Sequence, residues 1–300
     1  MSPDNPYVLK SYRYLRLVMV GLVVLLAASV LIELQQTGFG CWRTSISSYY
    51  WTPVRGVFVG ALVAIGTCLI VLKGQHAGRG RAAQRRGALA PIVAFVPILD
   101  PKECQSTPWR PPPTVGEHLQ QCRAFLLAGL VAVAVAWWVA RREGRGWLSR
   151  ADLIGLLVTI ALVLAGIALF LWAREFFDRW AHYLAAIPLF LVLVAVMVVN
   201  AVSYARTEAA HKGREMGRAE LANRYLAIAA LTVALVVTLG LVTWLGHWRH
   251  GTFWLEVVVI AAFAVFWAVQ TAELWGGRGT APRPEGVLAP QSKAGEVGTQ

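Results

Sequence analysis

The chain has 300 residues, of which 57% are apolar and only 15% are charged, and its mean hydropathy is +0.55. This composition excludes an ordinary soluble domain and is typical of a membrane protein. The formal net charge of +12 does not indicate nucleic-acid binding, because the basic residues form short clusters between apolar runs rather than a stripe with interleaved aromatic residues.

Eight apolar runs are long enough to cross a bilayer, whose hydrocarbon core of about 30 Å requires ~20 helical residues. We therefore expect an all-α, polytopic bundle of about eight transmembrane helices. In chain order, the predicted spans are residues 17–33, 54–72, 82–99, 124–140, 153–173, 180–202, 225–246 and 252–275. The third span is the least regular, because Pro91 and Pro97 interrupt it and predict a kink.

The distribution of basic residues indicates the orientation of these spans. Of the 28 Lys and Arg residues, 20 lie in or next to the two tails and the loops on their side, and 8 lie in or next to the remaining loops. Because positively charged loops stay in the cytoplasm, both termini are predicted to be cytoplasmic in a plasma-membrane protein. Residues 1–12 and 276–300 are predicted as cytoplasmic tails, the second of them disordered, around a transmembrane domain at 13–275. A signal peptide is the competing interpretation of the first run, but no small-x-small cleavage site ends it.

The first predicted outer loop carries the densest group of polar and aromatic residues in the chain, in CWRTSISSYYWTPVRGVFVG at positions 41–60. A helix start explains much of it. Pro53 suits a first helical turn, Trp51 suits an interfacial aromatic belt, and Arg55 can extend its charge to the membrane surface. The alternative is that Tyr50 and Arg55 turn inward toward a polar cluster.

Ionisable groups within or beside membrane spans are costly and indicate function by default. Asp178 and His182 are four residues apart, so one helix face would carry both and the carboxylate could hold the imidazole. The structural alternative is that such groups pair with one another or with lipid headgroups. The catalytic candidates of the predicted outer layer are His182, Glu256 and Asp178, and its ligand-binding candidates are Tyr49, Tyr50, Arg55, Glu33 and Asp100.

The sequence gives weaker indications of a metal site, a cofactor or a disulfide than of a polar cluster. His182, His247 and His250 could supply three imidazoles on one side, but they lack the ordered intramembrane motifs of membrane zinc hydrolases, so neither a metal nor a cofactor is expected. The sequence contains no phosphate-binding loop, no GxSxG motif and no Lys within a predicted span. Cys104 and Cys122 are predicted to form a disulfide that closes a proline-rich outer loop.

Four segments of the chain resemble a group of bacterial multi-pass membrane proteins of the Frag/DRAM/Sfk type, which has no agreed activity. These segments are SISSYYWTPVRGVFVGALVAIGTCLIVLKG, ALAPIVAFVPI, WAHYLAAIPLFLVLVAV and FWLEVVVIAAFAVFWAV. The resemblance implies six helices, with the YY-x-TP-x-R segment opening the second, the HY pair the fourth and the FWLE segment the last. Gly56 stands where that group often has an acid, and residues 124–173 would form an extra hairpin.

These observations predict a membrane protein that binds a lipid, a membrane-protein partner or a second copy of itself through an outward-facing polar cluster. Nucleic acid is not an expected partner. The first alternative is a membrane-embedded hydrolase or transferase acting on outer-leaflet headgroups, with His182 as acid or base and Glu256 or Asp178 orienting it. The second alternative is a small-solute transporter.

Overall fold

The computed structural model describes residues 6–40, 42–73, 89–98, 115–142, 150–213, 217 and 222–275. Within these ranges the chain is all-helical, as predicted, and contains eight α-helices with one 3-10 helix at Ser47–Trp51. The α-helices are α1 (Pro6–Gln36), α2 (Arg55–Lys73), α3 (Leu89–Phe95), α4 (Val115–Arg142), α5 (Arg150–Trp172), α6 (Arg174–His211), α7 (Arg224–Gly246) and α8 (Gly251–Trp275).

Each of the eight predicted spans overlaps one of these helices. Five of the helices, namely α1, α4, α6, α7 and α8, are long and apolar enough to cross a membrane, and α2 and α5 contain shorter apolar stretches. The chain is therefore compatible with a membrane protein. Because α1 begins at Pro6, part of the predicted N-terminal tail is helical, while residues 1–5 and 276–300 lie outside the described ranges.

Helix α3 is the described part of the third predicted span. It covers Leu89–Phe95, contains Pro91, and ends two residues before the fully buried Pro97. A proline disfavours the helical conformation in the residue that precedes it, which accounts for the end of the helix at this point. Residues 82–88 and 99 of this span lie outside the described residues.

Six helices form a ring in the described part of the chain. Helix α1 packs against α2 and α8, α2 against α3, α3 against α6, α6 against α7, and α7 against α8. An apolar cavity of ≈ 70 Å³ lies inside, lined by side chains from α1, α2, α3, α6 and α8. Ile46, Ser47 and Glu256 line it as well.

Helices α4 and α5 form an antiparallel hairpin outside this ring. Gly129 faces Val163 and Gly166 faces Leu126, so the two helices approach closely at their small residues. Their other faces carry exposed Leu, Val, Ile and Trp side chains, which suit contact with lipid tails. Ala173 alone separates α5 from α6, and its backbone (φ −128°, ψ 54°) turns the chain into the 38-residue helix α6.

Candidate functional site

The segment of residues 42–51 folds inward between α1 and α2. Ser47–Trp51 forms a 3-10 helix in which every residue is buried, and the exposed fractions of Tyr50 and Trp51 are 0%. The indole Nε1 of Trp51 donates to the carbonyl of Ile98 over 2.8 Å. The interpretation of Trp51 as an interfacial belt residue is therefore wrong, because its ring and its polar atom are both enclosed by protein.

Glu256, in the second turn of α8, holds this segment in place. Its carboxylate accepts hydrogen bonds from the backbone N–H of Ile46 at 2.5 Å and of Ser47 at 3.4 Å, and from the hydroxyl of Ser45 at 3.0 Å to each oxygen. The first N–H groups of a helix lack partners within that helix and favour a negative charge, so a carboxylate is well matched to this position.

The segment returns a similar contact to α8. The N–H of Phe253, in the first turn of α8, donates to the carbonyl of Thr44 over 2.8 Å. One ring nitrogen of His250 lies 3.3 Å from the carbonyl of Arg43, and the ring of Trp42 packs against Phe253 at 5.7 Å. Glu256 of α8 thus accepts from N–H groups of the 42–51 segment, and the segment accepts from an N–H group in the first turn of α8. These reciprocal bonds couple the segment to the start of α8.

His182 closes the end of α3 together with two other side chains. The last carbonyls of a helix have no helical partner, and inside a membrane each of them needs one. His182 Nδ1 lies 2.7 Å from the carbonyl of Val96, and Cys122 Sγ lies 3.3 Å from that of Phe95. Because a carbonyl oxygen can only accept, His182 carries its proton on Nδ1. Trp51 caps Ile98 in the same way.

The predicted pairing of Asp178 with His182 is wrong. The guanidinium Nε of Arg174 lies 2.8 and 2.9 Å from the two oxygens of Asp178, and the imidazole contacts Val96 instead. Arg174 also lies over the ring of Phe170, at 4.3 Å from its centroid. Asp178 lies four residues after Arg174 and four residues before His182, so helical spacing allows it to pair with either. It pairs with Arg174, whose side chain is charged.

Tyr50 and Arg55 form a contact pair at the start of α2. The Tyr50 hydroxyl donates to Gln121 Oε1 over 2.6 Å and accepts from Arg55 Nη2 over 3.2 Å. The guanidinium also lies over the Tyr50 ring, 4.7 Å from its centroid. Arg55 is half-buried, whereas Tyr50 is enclosed. The ring and the hydroxyl of Tyr50 therefore hold a partly exposed cation at the start of α2.

The remaining candidates divide into buried residues and residues outside the described ranges. Glu33 is 5% exposed and interacts electrostatically with Arg43, which is 1% exposed. Tyr49 is buried against Phe253, with ring centroids 6.3 Å apart. Asp100 and Cys104 lie outside the described residues, so the Cys104–Cys122 disulfide stays a prediction; Cys122 is buried in α4.

The three histidines of the possible metal set do not converge. His182 faces α3, His247 is the exposed C-cap residue of α7 in a left-handed conformation (φ 48°), and His250 contacts Arg43. Among the described residues, no group of three or more His, Cys, Asp and Glu side chains is arranged to hold a metal ion. The candidate catalytic residues likewise belong to separate networks, because His182, Glu256 and Asp178 each have their own partners.

Sequence reasoning missed three contributors to this layer. Ser45 and Arg43 precede the 3-10 helix, and Gln121 lies early in α4, 71 positions from its partner Tyr50. The Ser-rich run was the only available signal for Ser45. Comparison of the chain with protein-family models, curated proteins and solved structures finds no match.

Proposed function

We propose that this chain is a plasma-membrane protein with eight spans and cytoplasmic termini, whose outer layer binds the anionic headgroup of a lipid without catalysis. The observation that carries the proposal is the half-buried Arg55, held by the hydroxyl and the ring of Tyr50 at the start of α2. A guanidinium fixed in this way matches a phosphate group well, because its planar donors form paired hydrogen bonds with oxyanions.

The contacts of the catalytic candidates favour binding over hydrolysis. Glu256 is committed to three groups of the 42–51 segment, His182 to the end of α3, and Asp178 to Arg174. A general acid or base must lie within hydrogen-bond reach of the reacting group and be available to exchange a proton with it. These three side chains instead stabilise the surface on which Arg55 is presented.

The lipid-binding proposal is tested with the purified full-length chain and its Arg55→Gln and Tyr50→Phe variants. Phosphatidylglycerol and phosphatidylcholine are titrated separately into detergent-solubilised protein, and retained lipid is counted by native mass spectrometry. We expect Arg55→Gln to weaken phosphatidylglycerol binding about tenfold, which corresponds to one hydrogen bond to a charged group. Tyr50→Phe, which keeps the ring and removes the hydroxyl, is expected to have a smaller effect.

Arg179→Gln is the matched control, because Arg179 is an exposed Arg near the start of α6. It changes the net charge by the same amount and should leave the binding constant unchanged. Equal weakening by Arg55→Gln and Arg179→Gln would reduce the effect to bulk charge and refute a site at Arg55.

The contacts at the end of α3 support the proposed topology. The backbone of Phe95, Val96 and Ile98 contacts Cys122 near the start of α4, His182 near the start of α6 and Trp51 just before α2. The chain thus reaches the same layer before α2, after α3 and at the start of α4 and α6. Cysteine labelling within residues 74–86, in a chain whose native cysteines are replaced, should succeed only from the cytoplasmic side; labelling from outside would refute the topology.

A transporter is the second candidate, and the cavity inside the six-helix ring is the observation that favours it. The cavity of ≈ 70 Å³ is apolar along its walls, with Glu256 and Ser47 contributing to its lining. Leu62→Cys and Leu193→Cys place reactive thiols in this lining. Reaction of both thiols with a small polar reagent from both membrane faces would favour transport over binding. The resemblance to the Frag/DRAM/Sfk-type proteins, and binding to a protein partner or a second copy, also stay proposals.

A further inference from the structure

A second polar layer lies at the other end of the six-helix ring, where α1, α6, α7 and α8 meet. Arg16 of α1 is 3% exposed, and its guanidinium lies 5.1 Å from the ring centroid of Trp267 on α8. Gln270 Nε2 donates to Asn200 Oδ1 on α6 over 2.9 Å. Tyr225 at the start of α7 donates its hydroxyl to Glu273, which also forms a 2.6 Å ion pair with Arg224.

Besides Glu273 Oε1, which lies in the ion pair with Arg224, three buried polar atoms of α8 in this layer have no hydrogen-bond partner within the described residues. They are the indole Nε1 of Trp267, the Oε1 of Gln270 and the hydroxyl of Thr271, on residues that are 5%, 2% and 2% exposed. Gln270 and Thr271 follow Trp267 by three and four positions, so both lie on the same side of the helix as Trp267. Buried polar atoms are nearly always satisfied in proteins, and a group of them left unsatisfied indicates a bound water, ion or ligand.

The chemistry of this face is that of an oxyanion site. Trp267 and Thr271 offer an N–H and an O–H donor, and Arg16 adds a buried positive charge beside Trp267. Glu273, an acidic residue of this layer, is engaged by Arg224 and Tyr225. Gln270 Oε1 is an acceptor, so a ligand that also carries a hydroxyl group would satisfy all three atoms.

The depth of the layer favours a lipid as the source of this group. Helix α1 continues for 20 residues from Arg16 to its end at Gln36, which is about 30 Å at 1.5 Å per residue. That distance equals the thickness of the hydrocarbon core, about 30 Å, so Arg16 lies at headgroup depth on the opposite side from the 42–51 segment. Basic pockets between helices on the cytoplasmic side are established binding places for anionic headgroups.

We infer that the face formed by Arg16, Trp267, Gln270 and Thr271 binds a phosphate group bearing a hydroxyl, supplied by an anionic phospholipid such as phosphatidylglycerol. This site lies at the other end of the ring from Arg55 and is independent of the lipid-binding role proposed for the outer layer.

The experiment uses the full-length chain carrying Arg55→Gln, so that the outer site does not contribute. Phosphatidylglycerol, phosphatidylcholine and inorganic phosphate are each titrated against it, and the melting temperature and the apparent Kd are measured. We expect phosphatidylglycerol to raise the melting temperature more than phosphatidylcholine does. Thr271→Val removes one donor at nearly constant shape and should weaken the apparent Kd about tenfold, as for a hydrogen bond to a charged group.

Thr232→Val is the matched control. Thr232 is also 2% exposed, on α7, but its hydroxyl donates to the carbonyl of Ile228 over 2.7 Å. Its loss should change stability without changing the apparent Kd. Trp267→Phe, which keeps an aromatic ring beneath Arg16, should weaken binding like Thr271→Val, and Arg16→Gln should abolish the preference for phosphatidylglycerol. If Arg16→Gln fails to fold, the two milder variants still test the site.

Each outcome decides the inference. Stabilisation by inorganic phosphate as well as by phosphatidylglycerol supports the oxyanion site and makes a soluble phosphate its source. Equal stabilisation by phosphatidylcholine and phosphatidylglycerol, or no response to phosphatidylglycerol and phosphate, overturns it and leaves ordered water as the partner of the three atoms. An equal loss of affinity in Thr232→Val and Thr271→Val also overturns it.

Discussion

Replacing Glu256 tests whether one carboxylate holds the 42–51 segment in place. Glu256→Gln keeps the shape of the side chain but turns one of its acceptor oxygens into an NH2 donor. The amide can still accept from Ile46 N–H at its remaining oxygen, but its NH2 group then faces the Ser45 hydroxyl, whose oxygen already accepts from the Ser47 N–H over 3.0 Å and from the Ser47 hydroxyl over 2.6 Å. At least one hydrogen bond to a charged group is therefore lost.

The size of the effect follows from that loss. A hydrogen bond to a charged group contributes about 1.5–3 kcal/mol, so the free energy of opening the segment should fall by that amount. Because 1.4 kcal/mol is a factor of ten, amide hydrogen exchange of residues 42–51 should accelerate by at least about tenfold. Glu256→Ala should have a larger effect, about 2–6 kcal/mol, because it leaves two buried N–H groups without an acceptor at about 1–3 kcal/mol each.

Hydrogen exchange read by mass spectrometry on peptides covering residues 42–51 is the assay. Peptides from α5 report on the α4–α5 hairpin, and their exchange rates should not change. Glu175→Gln serves as the control variant, because Glu175 is an exposed acid in the first turn of α6. If exchange in the 42–51 segment is the same in Glu256→Gln as in the unsubstituted chain, this carboxylate does not hold the segment and the reasoning fails.

Two further predictions concern the ends of α3 and α2. His182→Ala should lower the free energy of unfolding by about 1–3 kcal/mol, because it leaves the Val96 carbonyl buried without its donor; Asp178→Asn, which affects a partly exposed ion pair, should cost no more than about 1 kcal/mol. Equal losses in a denaturant titration would contradict the cap. Thr52→Val removes a buried hydroxyl that accepts from Val54 N–H over 3.2 Å and donates to the carbonyl of Tyr49 over 2.7 Å, in the turn between the 3-10 helix and α2, and should cost about 1 kcal/mol. Thr67→Val, on an exposed face of α2, should be nearly neutral, and a comparable loss there would count against the role of the Thr52 hydroxyl in this turn.

The helices were predictable because they depend on local composition. A run of apolar residues long enough to cross the hydrocarbon core can be recognised from the sequence alone, and all eight predicted spans overlap a helix. The end of α3 was less predictable. Pro91 and Pro97 predicted an irregularity, and the helix passes through Pro91 but ends at Phe95, two residues before Pro97.

The partners within the outer layer were not predictable, because they are distant in sequence. Glu256 and Ser45 are 211 positions apart, and His182 and Val96 are 86 apart. Periodicity places a side chain on a face of its own helix but does not say which backbone group will face it. The local rule failed for a related reason: Asp178 has a possible partner four residues away on either side, and only the structure identifies Arg174 as the one that pairs.

Polar residues in apolar helices serve two distinct purposes in this chain. Glu256 and His182 satisfy backbone groups that short or irregular elements expose within the ring, as a membrane requires of any non-helical backbone. They would be retained even if the protein bound nothing, because their loss leaves N–H and C=O groups without partners. Trp267, Gln270 and Thr271 lie within the continuous helix α8, whose backbone bonds form without them. The backbone does not need their polar side-chain atoms as partners. A ligand is therefore the better explanation for a donor-rich face beside a buried Arg16.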